Sequence, residues 1–150
     1  MGRIRRWWVL GLFAVSGGAV SLAALVVPAT AGAQITSLSV SVGNLQAQGT
    51  EVPMQVAFQC NDPSLDVAFV GANLTQVSGH KLAQGSGSFG FPDNVPCDST
   101  FSVAFTVRAQ GAFAYKQGNA MVSVDVLLFD PAADNFPFET FTQTTRLRTK

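Results

Sequence analysis

Carboxylate and amide side chains concentrate in three short segments of the chain, at 61–66, 92–99 and 130–137. Their oxygen atoms are suitable ligands for Ca²⁺, which takes about six to eight of them. Aspartate and asparagine are also common in turns, because their side chains bond nearby backbone groups, and no D-x-D-x-D-G calcium loop occurs. Turn formation is the favoured interpretation, and the alternatives are a calcium site or contact of these acidic residues with basic residues of a second copy. The aspartates concerned are Asp62, Asp66, Asp93, Asp98, Asp130 and Asp134.

Side chains suited to catalysis or to holding a cofactor are scarce. The single histidine, His80, lies between Gly79 and Lys81 in a segment that predicts a turn. No G-x-S-x-G nucleophile motif and no phosphate- or dinucleotide-binding glycine pattern is present. Cys60 and Cys97 lack the C-x-x-C spacing and the nearby histidine typical of redox or zinc sites. We therefore predict a non-enzymatic protein without catalytic residues, metal ligands or cofactor, and hydrolase activity is a distant alternative.

The elements that must position these residues are predicted to be β-strands. Apolar and polar residues alternate in seven segments separated by Gly, Pro, Asn and Asp, and the abundant phenylalanine and valine favour strands. Seven strands in a domain of this size predict an all-β fold, a seven-stranded immunoglobulin-like antiparallel β-sandwich. The segments are 36–42, 52–60, 67–77, 82–91, 101–108, 120–128 and 138–149. Glycines interrupt the third and fourth segments, which suggests a bulge or an edge strand there.

This strand order predicts a disulfide. In such a sandwich the second and fifth strands lie side by side and antiparallel, so the end of one faces the start of the other. Cys60 ends the second predicted strand and Cys97 precedes the fifth. We expect a structural Cys60–Cys97 bridge, which differs from the inter-sheet bridge of antibody domains.

The same order sorts the charges. Each strand crosses the sandwich once, so successive loops alternate between its two ends, and the three aspartate-rich segments gather at one pole. The basic residues after position 33 gather at the other: Lys81, Arg108, Lys116, Arg146, Arg148 and Lys150. Head-to-tail association of the acidic pole of one copy with the basic pole of another is therefore a further hypothesis.

Aromatic residues flank two of the acidic segments. Phe91 leads into one, and Phe136 and Phe138 lie at the end of another. Aromatic side chains at loop tips can anchor a partner, or they can cap the open end of the core. Capping is the favoured interpretation, and exposure of these rings would make the pole the best candidate for a binding surface.

The first 33 residues have the pattern of a secretory signal peptide. Arg3, Arg5 and Arg6 precede an uncharged run from 7 to 27, and Ala31 and Ala33 form an A-x-A cleavage site before Gln34. The alternatives are a retained transmembrane anchor and, because of the paired arginines, twin-arginine rather than general secretory export. The remaining 34–150 is predicted to be one domain without a transmembrane segment.

Removal of the leader changes the charge balance of the protein. Three of the nine basic residues lie in the leader, whereas all nine acidic residues lie after position 50. The domain is therefore acidic, which argues against nucleic acid as a partner.

Five segments resemble small immunoglobulin-like proteins with one disulfide that actinomycetes secrete. They are Phe-Gln-Cys at 58–60, Asn-Leu-Thr-Gln at 73–76, Ala-Gln-Gly-Ser-Gly at 83–87, Cys-Asp-Ser-Thr at 97–100 and Phe-Ala-Tyr-Lys-Gln-Gly-Asn-Ala at 113–120. The resemblance extends over most of 34–150 and implies the fold and secretion, but no assigned activity. Neocarzinostatin-type chromophore carriers are similar in size and secretion, but they have two disulfides, and this chain has cysteines for one.

These observations favour a secreted binding or interaction module that acts at or outside the cell envelope, on the cell surface or in the medium. Its partner would be a protein or an envelope component. The alternative is an extracellular carrier of a small apolar ligand. A phenylalanine-lined pocket between the sheets would favour the carrier, whereas a filled core with exposed aromatic rings at the pole would favour the interaction module.

Overall fold

The computed structural model describes residues 22–23, 34–92 and 95–150, and this part of the chain is almost entirely β-structure. The only helical element in these residues is a short 3-10 turn at Ala47–Gly49. The strands are β1 (Leu22–Ala23), β2 (Ile35–Val42), β3 (Glu51–Cys60), β4 (Asp62–Ser78), β5 (Lys81–Gly90), β6 (Pro96–Cys97), β7 (Thr100–Gln110), β8 (Gly118–Phe129) and β9 (Phe138–Leu147). All seven predicted strands are confirmed, and the two additional strands are each only two residues long.

The strands form one antiparallel sheet in the order β1-β2-β3-β7-β5-β4-β8-β9, with β6 paired to β4. This sheet folds over so that β2, β3 and β7 face β4, β8 and β9, and buried side chains from both layers form one core cluster. The predicted all-β sandwich is therefore the observed fold, and its two layers remain connected through β5.

Alternation along the central strands explains the core. In β3, Val52, Met54, Val56 and Phe58 are buried, whereas Gln55 and Gln59 between them are exposed. In β8, alternate residues from Ala120 to Leu128 are buried in the same way. Because side chains on a strand point alternately to its two faces, this pattern places one face of each layer inside.

Strand β5 connects the two layers because glycines allow a close approach to β7. It pairs with β4 along its length and with β7 at Gln84, Gly85 and Ser86. A Cβ atom at Gly85 would collide with the Arg108 carbonyl oxygen and the Tyr115 hydroxyl. Of the two predicted alternatives, the edge strand is wrong for both β4 and β5. The bulge agrees with a register irregularity of β4 against β8 between Val67 and Phe69.

The predicted disulfide between Cys60 and Cys97 is confirmed, with Cα atoms 4.9 Å apart. It joins the end of β3 to the short strand β6, beside the paired strands β3 and β7. Closing a loop of this length contributes about 3–4 kcal/mol to stability in the chain-entropy model. A structural disulfide of this kind indicates an oxidising, extracellular type of environment.

A buried polar network fixes the connection between β7 and β8 to the core. The Tyr115 hydroxyl donates to the Leu74 carbonyl oxygen at 3.0 Å. The side-chain amide of Gln76 donates to the Lys116 carbonyl oxygen at 2.7 Å and accepts from the Lys116 amide at 2.7 Å. Both side chains are nearly inaccessible to solvent, so their hydrogen bonds satisfy polar groups that would otherwise be costly to bury.

Strands β2 and β9 run parallel to each other and are connected near both ends. At one end, the Glu139 carboxylate accepts hydrogen bonds from the backbone amides of Gln34 and Ile35. At the other, the Leu45 amide donates to the Arg148 carbonyl oxygen at 2.8 Å. These contacts hold the edges of the folded sheet together.

The predicted signal peptide lies mostly outside the described residues. Leu22 and Ala23, which fall within it, form β1 and pair with Ser41 and Val40 of β2. Within the part of the chain that the structure describes, no helix has the length and hydropathy needed to cross a membrane.

Candidate functional site

The sandwich has two poles of different composition. Strands β3, β5 and β8 end at the same pole of the sandwich. We call it the disulfide pole, because Cys60 and Cys97 lie there. Asp62 and Asp66 lie at the start of β4 at this end, although the sequence predicted a loop for the segment 61–66, and Asp98, Asp130 and Asp134 lie in the connections between strands. Asp93, the sixth predicted residue, lies outside the described residues.

Two of these aspartates bond groups of residues that follow closely in the chain. One carboxylate oxygen of Asp62 accepts from the amide of Ser64 at 3.1 Å and from its hydroxyl at 2.6 Å. One carboxylate oxygen of Asp130 accepts from the amides of Ala132 and Ala133 at 2.9 and 3.1 Å. Local bonds of this type are the usual reason for aspartate in turns. The turn interpretation applies to Asp130, which precedes the turn at 131–134, whereas Asp62 and Ser64 belong to β4.

Asp66 has a different position, because it lines a cleft. Its backbone lies between β6 and β8, with Pro96 and Phe129 as its register partners. Its side chain is partly buried and forms no salt bridge with any other described residue. Asp66 is therefore the carboxylate of this pole that is best placed to meet a bound group.

The cleft has a volume of about 430 Å³ and is lined by Asp66, Val67, Ala68, Phe91, Pro92, Phe129 and Phe136. The rings of Phe129 and Phe136 contact each other with centroids 5.0 Å apart. Phe91 packs edge-on against Phe58 and Phe101 of the core. One wall of the cleft is thus continuous with the core, while the Phe136 side chain is 58% exposed.

The three predicted aromatic residues have different positions. Phe91 is partly buried and caps the core, as the capping interpretation expects, and it also lines the cleft. Phe136 lines the cleft and is largely exposed, whereas Phe138 is 69% exposed on β9 and does not line it. Sequence reasoning missed Phe129, which follows the last buried residue of β8 and directly precedes the acidic segment at 130–137.

The opposite end, which we call the basic pole, carries the basic residues that follow position 33. Lys81 begins β5, Arg108 lies near the end of β7, and Lys116 lies just before β8. Arg108 pairs with Glu51 at 3.3 Å, and the Lys81 ammonium lies 5.4 Å from the Phe113 ring centroid. Arg146, Arg148 and Lys150 lie at the end of β9 and beyond it, so all six basic residues after position 33 are at this pole.

The other candidates for chemistry lie apart from the cleft. His80 is exposed in the turn between β4 and β5, at the basic pole. Among the described residues, no three His, Cys, Asp or Glu side chains are grouped so that they could hold a metal ion. The cleft therefore offers aromatic faces and one carboxylate, an arrangement suited to binding.

Two comparisons with known proteins were negative. No protein-family model matches this chain, and no curated protein sequence is significantly similar to it. The resemblance to secreted actinomycete proteins stays a prediction, and the geometry of the cleft is the main guide to the function of this chain.

Proposed function

We propose that this chain is a secreted, non-enzymatic module that binds a protein or cell-envelope component at the disulfide pole. The observation that carries the proposal is the cleft in which Phe91, Phe129 and Phe136 lie beside Asp66. Exposed aromatic residues around a concave surface are typical anchors for a partner. The Cys60–Cys97 disulfide supports an extracellular place of action.

The chemistry of the cleft favours a group that is both apolar and positively charged. The faces of aromatic rings attract cations, and Asp66 adds a negative charge to the lining of the cleft. The acidic residues of this pole and the absence of basic side chains among its described residues strengthen the attraction. A lysine or arginine side chain with an apolar neighbour on the partner would satisfy both features.

A second copy of the chain has matching charges, because its basic pole carries Arg146, Arg148 and Lys150 in exposed positions. Head-to-tail contact between copies is therefore one form that the interaction would take. A concentration-dependent increase in mass that disappears at high salt would identify this form, since salt screens such contacts.

The second candidate function is transport of a small apolar ligand. The cleft volume of about 430 Å³ falls within the size range of small-molecule sites, about 300–1,000 Å³. The cleft lies at the end of the sandwich rather than between its layers, and this position favours the interaction module.

Titration with small aromatic probes, followed by NMR of the labelled protein, tests this proposal. We expect benzyltrimethylammonium to shift the amide signals of Asp66, Phe129 and Phe136, and to bind more tightly than benzenesulfonate. The Asp66→Asn and Phe136→Ser variants should each weaken binding about fivefold, whereas Val77→Ser should leave it unchanged. Val77 is a suitable control because it is 70% exposed at the basic pole.

The result against the proposal would be equal affinity for the cation and the sulfonate, or signal shifts located elsewhere. Preferred binding of neutral benzyl alcohol at the same residues would support the carrier instead.

A further inference from the structure

We propose that the Glu139 carboxylate is the binding site for a new N-terminal ammonium, which forms when the leader is removed before Gln34. In the full chain the Gln34 backbone nitrogen lies 2.9 Å from one Glu139 oxygen, and the Ile35 nitrogen lies 3.3 Å from the same oxygen. This inference depends on the predicted cleavage site and is independent of the aromatic cleft.

Removal of the leader changes the charge on the Gln34 nitrogen, which already lies beside the Glu139 carboxylate. Hydrolysis of the Ala33–Gln34 peptide bond consumes one water molecule and leaves a carboxylate on Ala33 and an ammonium group on Gln34. The nitrogen that donated a neutral amide hydrogen bond to Glu139 then donates as a cation. Charge-assisted hydrogen bonds are shorter and about twice as strong as neutral ones.

The location of this contact gives it a structural consequence. It lies where β2 begins beside the start of β9, at the disulfide pole, and the Leu45–Arg148 hydrogen bond joins the same two strands near the basic pole. Cleavage also removes β1, which pairs with Val40 and Ser41 of β2. Cleavage would therefore remove β1 from β2 and, at the same time, form an ion pair that strengthens the connection between β2 and β9.

A substitution at position 139 can separate binding of an ammonium group from hydrogen bonding to a neutral backbone amide. A glutamine at this position would still offer an oxygen to a neutral amide, but it would carry no charge for an ammonium group. On the neighbouring strand β8, the Asp125 carboxylate accepts from the Thr140 hydroxyl at 2.7 Å. Glu139→Gln is therefore the substitution that separates the two roles.

The N-terminal glutamine that cleavage creates can also cyclise. An N-terminal glutamine cyclises when its α-amine attacks the side-chain amide carbon and displaces ammonia, which leaves a neutral lactam. Only the uncharged amine can attack, and a neighbouring carboxylate favours the charged form. Glu139 should therefore slow this cyclisation in the folded protein.

Two chain lengths and two residues at position 139 test the proposal. The chain 34–150 has its ammonium at Gln34, whereas the chain 31–150 has a neutral amide there; both contain the whole described core, from Ile35 to Leu147. We expect Glu139→Gln to raise the unfolding equilibrium constant about fivefold in 34–150, and less than about twofold in 31–150. The control Glu51→Gln, which removes the partner of Arg108 at the other pole, should have equal effects on the two lengths.

Mass spectrometry supplies two further measurements. The secreted protein should begin at residue 34, and the 34–150 chain should cyclise faster with Glu139→Gln than with the wild-type residue. Equal effects of Glu139→Gln on the stability of both lengths, unchanged cyclisation, or a natural terminus at another residue would each overturn the proposal.

Discussion

Tyr115 shows how a single residue connects the loop before β8 to the core. It is the only tyrosine of the chain and is 2% exposed, and its hydroxyl donates to the Leu74 carbonyl oxygen across the sandwich. Burial raises the pKa of this hydroxyl from 10.0 to about 12. Immunoglobulin-like domains also have a tyrosine near the start of their sixth strand. Its hydroxyl forms a hydrogen bond with the backbone a few residues earlier in the chain.

Replacement of this residue should therefore affect both stability and its dependence on pH. Tyr115→Phe leaves the Leu74 oxygen without its side-chain donor, and we expect a loss of about 1 kcal/mol at neutral pH. Because the folded-state pKa is raised, the stability linked to the protonated hydroxyl is complete below pH 10 and is lost as the pH rises towards about 12. Between pH 10 and about 12, the Tyr115→Phe variant should therefore lose less stability than the wild-type protein.

Denaturant unfolding of both proteins across this pH range, with phenolate absorbance recorded in parallel, measures both effects. Since Tyr115 is the only tyrosine, the absorbance reports this group alone. Titration of the folded protein with an ordinary pKa near 10 would contradict the burial of the hydroxyl.

At the scale of elements, β5 determines how the two layers are joined. Gly85 lies in the middle of the segment 84–86, in which β5 pairs with β7 as well as with β4. Space at this position is limited by the Arg108 carbonyl oxygen and the Tyr115 hydroxyl. The strand approaches β7 so closely that a glycine is required.

We expect Gly85→Ala to destabilise the fold by about 2 kcal/mol, because backbone and side chains must move to accept the methyl group. Gly90→Ala in the same strand is the matched control, since a Cβ there meets nothing within 4 Å, and its effect should stay within about 0.5 kcal/mol. Thermal and denaturant unfolding would measure both. Equal stability of the two variants would show that β5 does not lie closely against β7.

Most of the elements were predictable, because alternation in β3, β7 and β8 follows directly from one buried and one exposed face. The Cys60–Cys97 bridge was predictable from strand order. The dual pairing of β5 was not, because glycine is compatible with an edge, a bulge or a close approach, and only the neighbouring strands distinguish these. Phe129 was missed for a related reason, since a phenylalanine at a strand end does not reveal which cleft it will line.

At the scale of the whole molecule, the fold separates charges that are interspersed along the chain. Antiparallel strands return each acidic segment to the disulfide pole and each basic residue to the other. The strand order alone was enough to assign the aspartate segments to one pole. The position of Asp66 in the cleft could not be predicted in this way, because it depends on the pairing of its backbone with β6 and β8. The resulting acidic pole contains the aromatic cleft, which concentrates the features expected of a binding surface at one end.

Site-specific photocrosslinking in the cells that make the protein tests most directly whether this pole binds a partner. p-Benzoylphenylalanine would replace Phe136 in the cleft or Val77 at the basic pole, positions at which 58% and 70% of the side chain is exposed. A discrete adduct from position 136, reduced by Asp66→Asn and absent from position 77, is the expected result. Equal adducts from both positions, or none from position 136, would contradict a binding function at the disulfide pole.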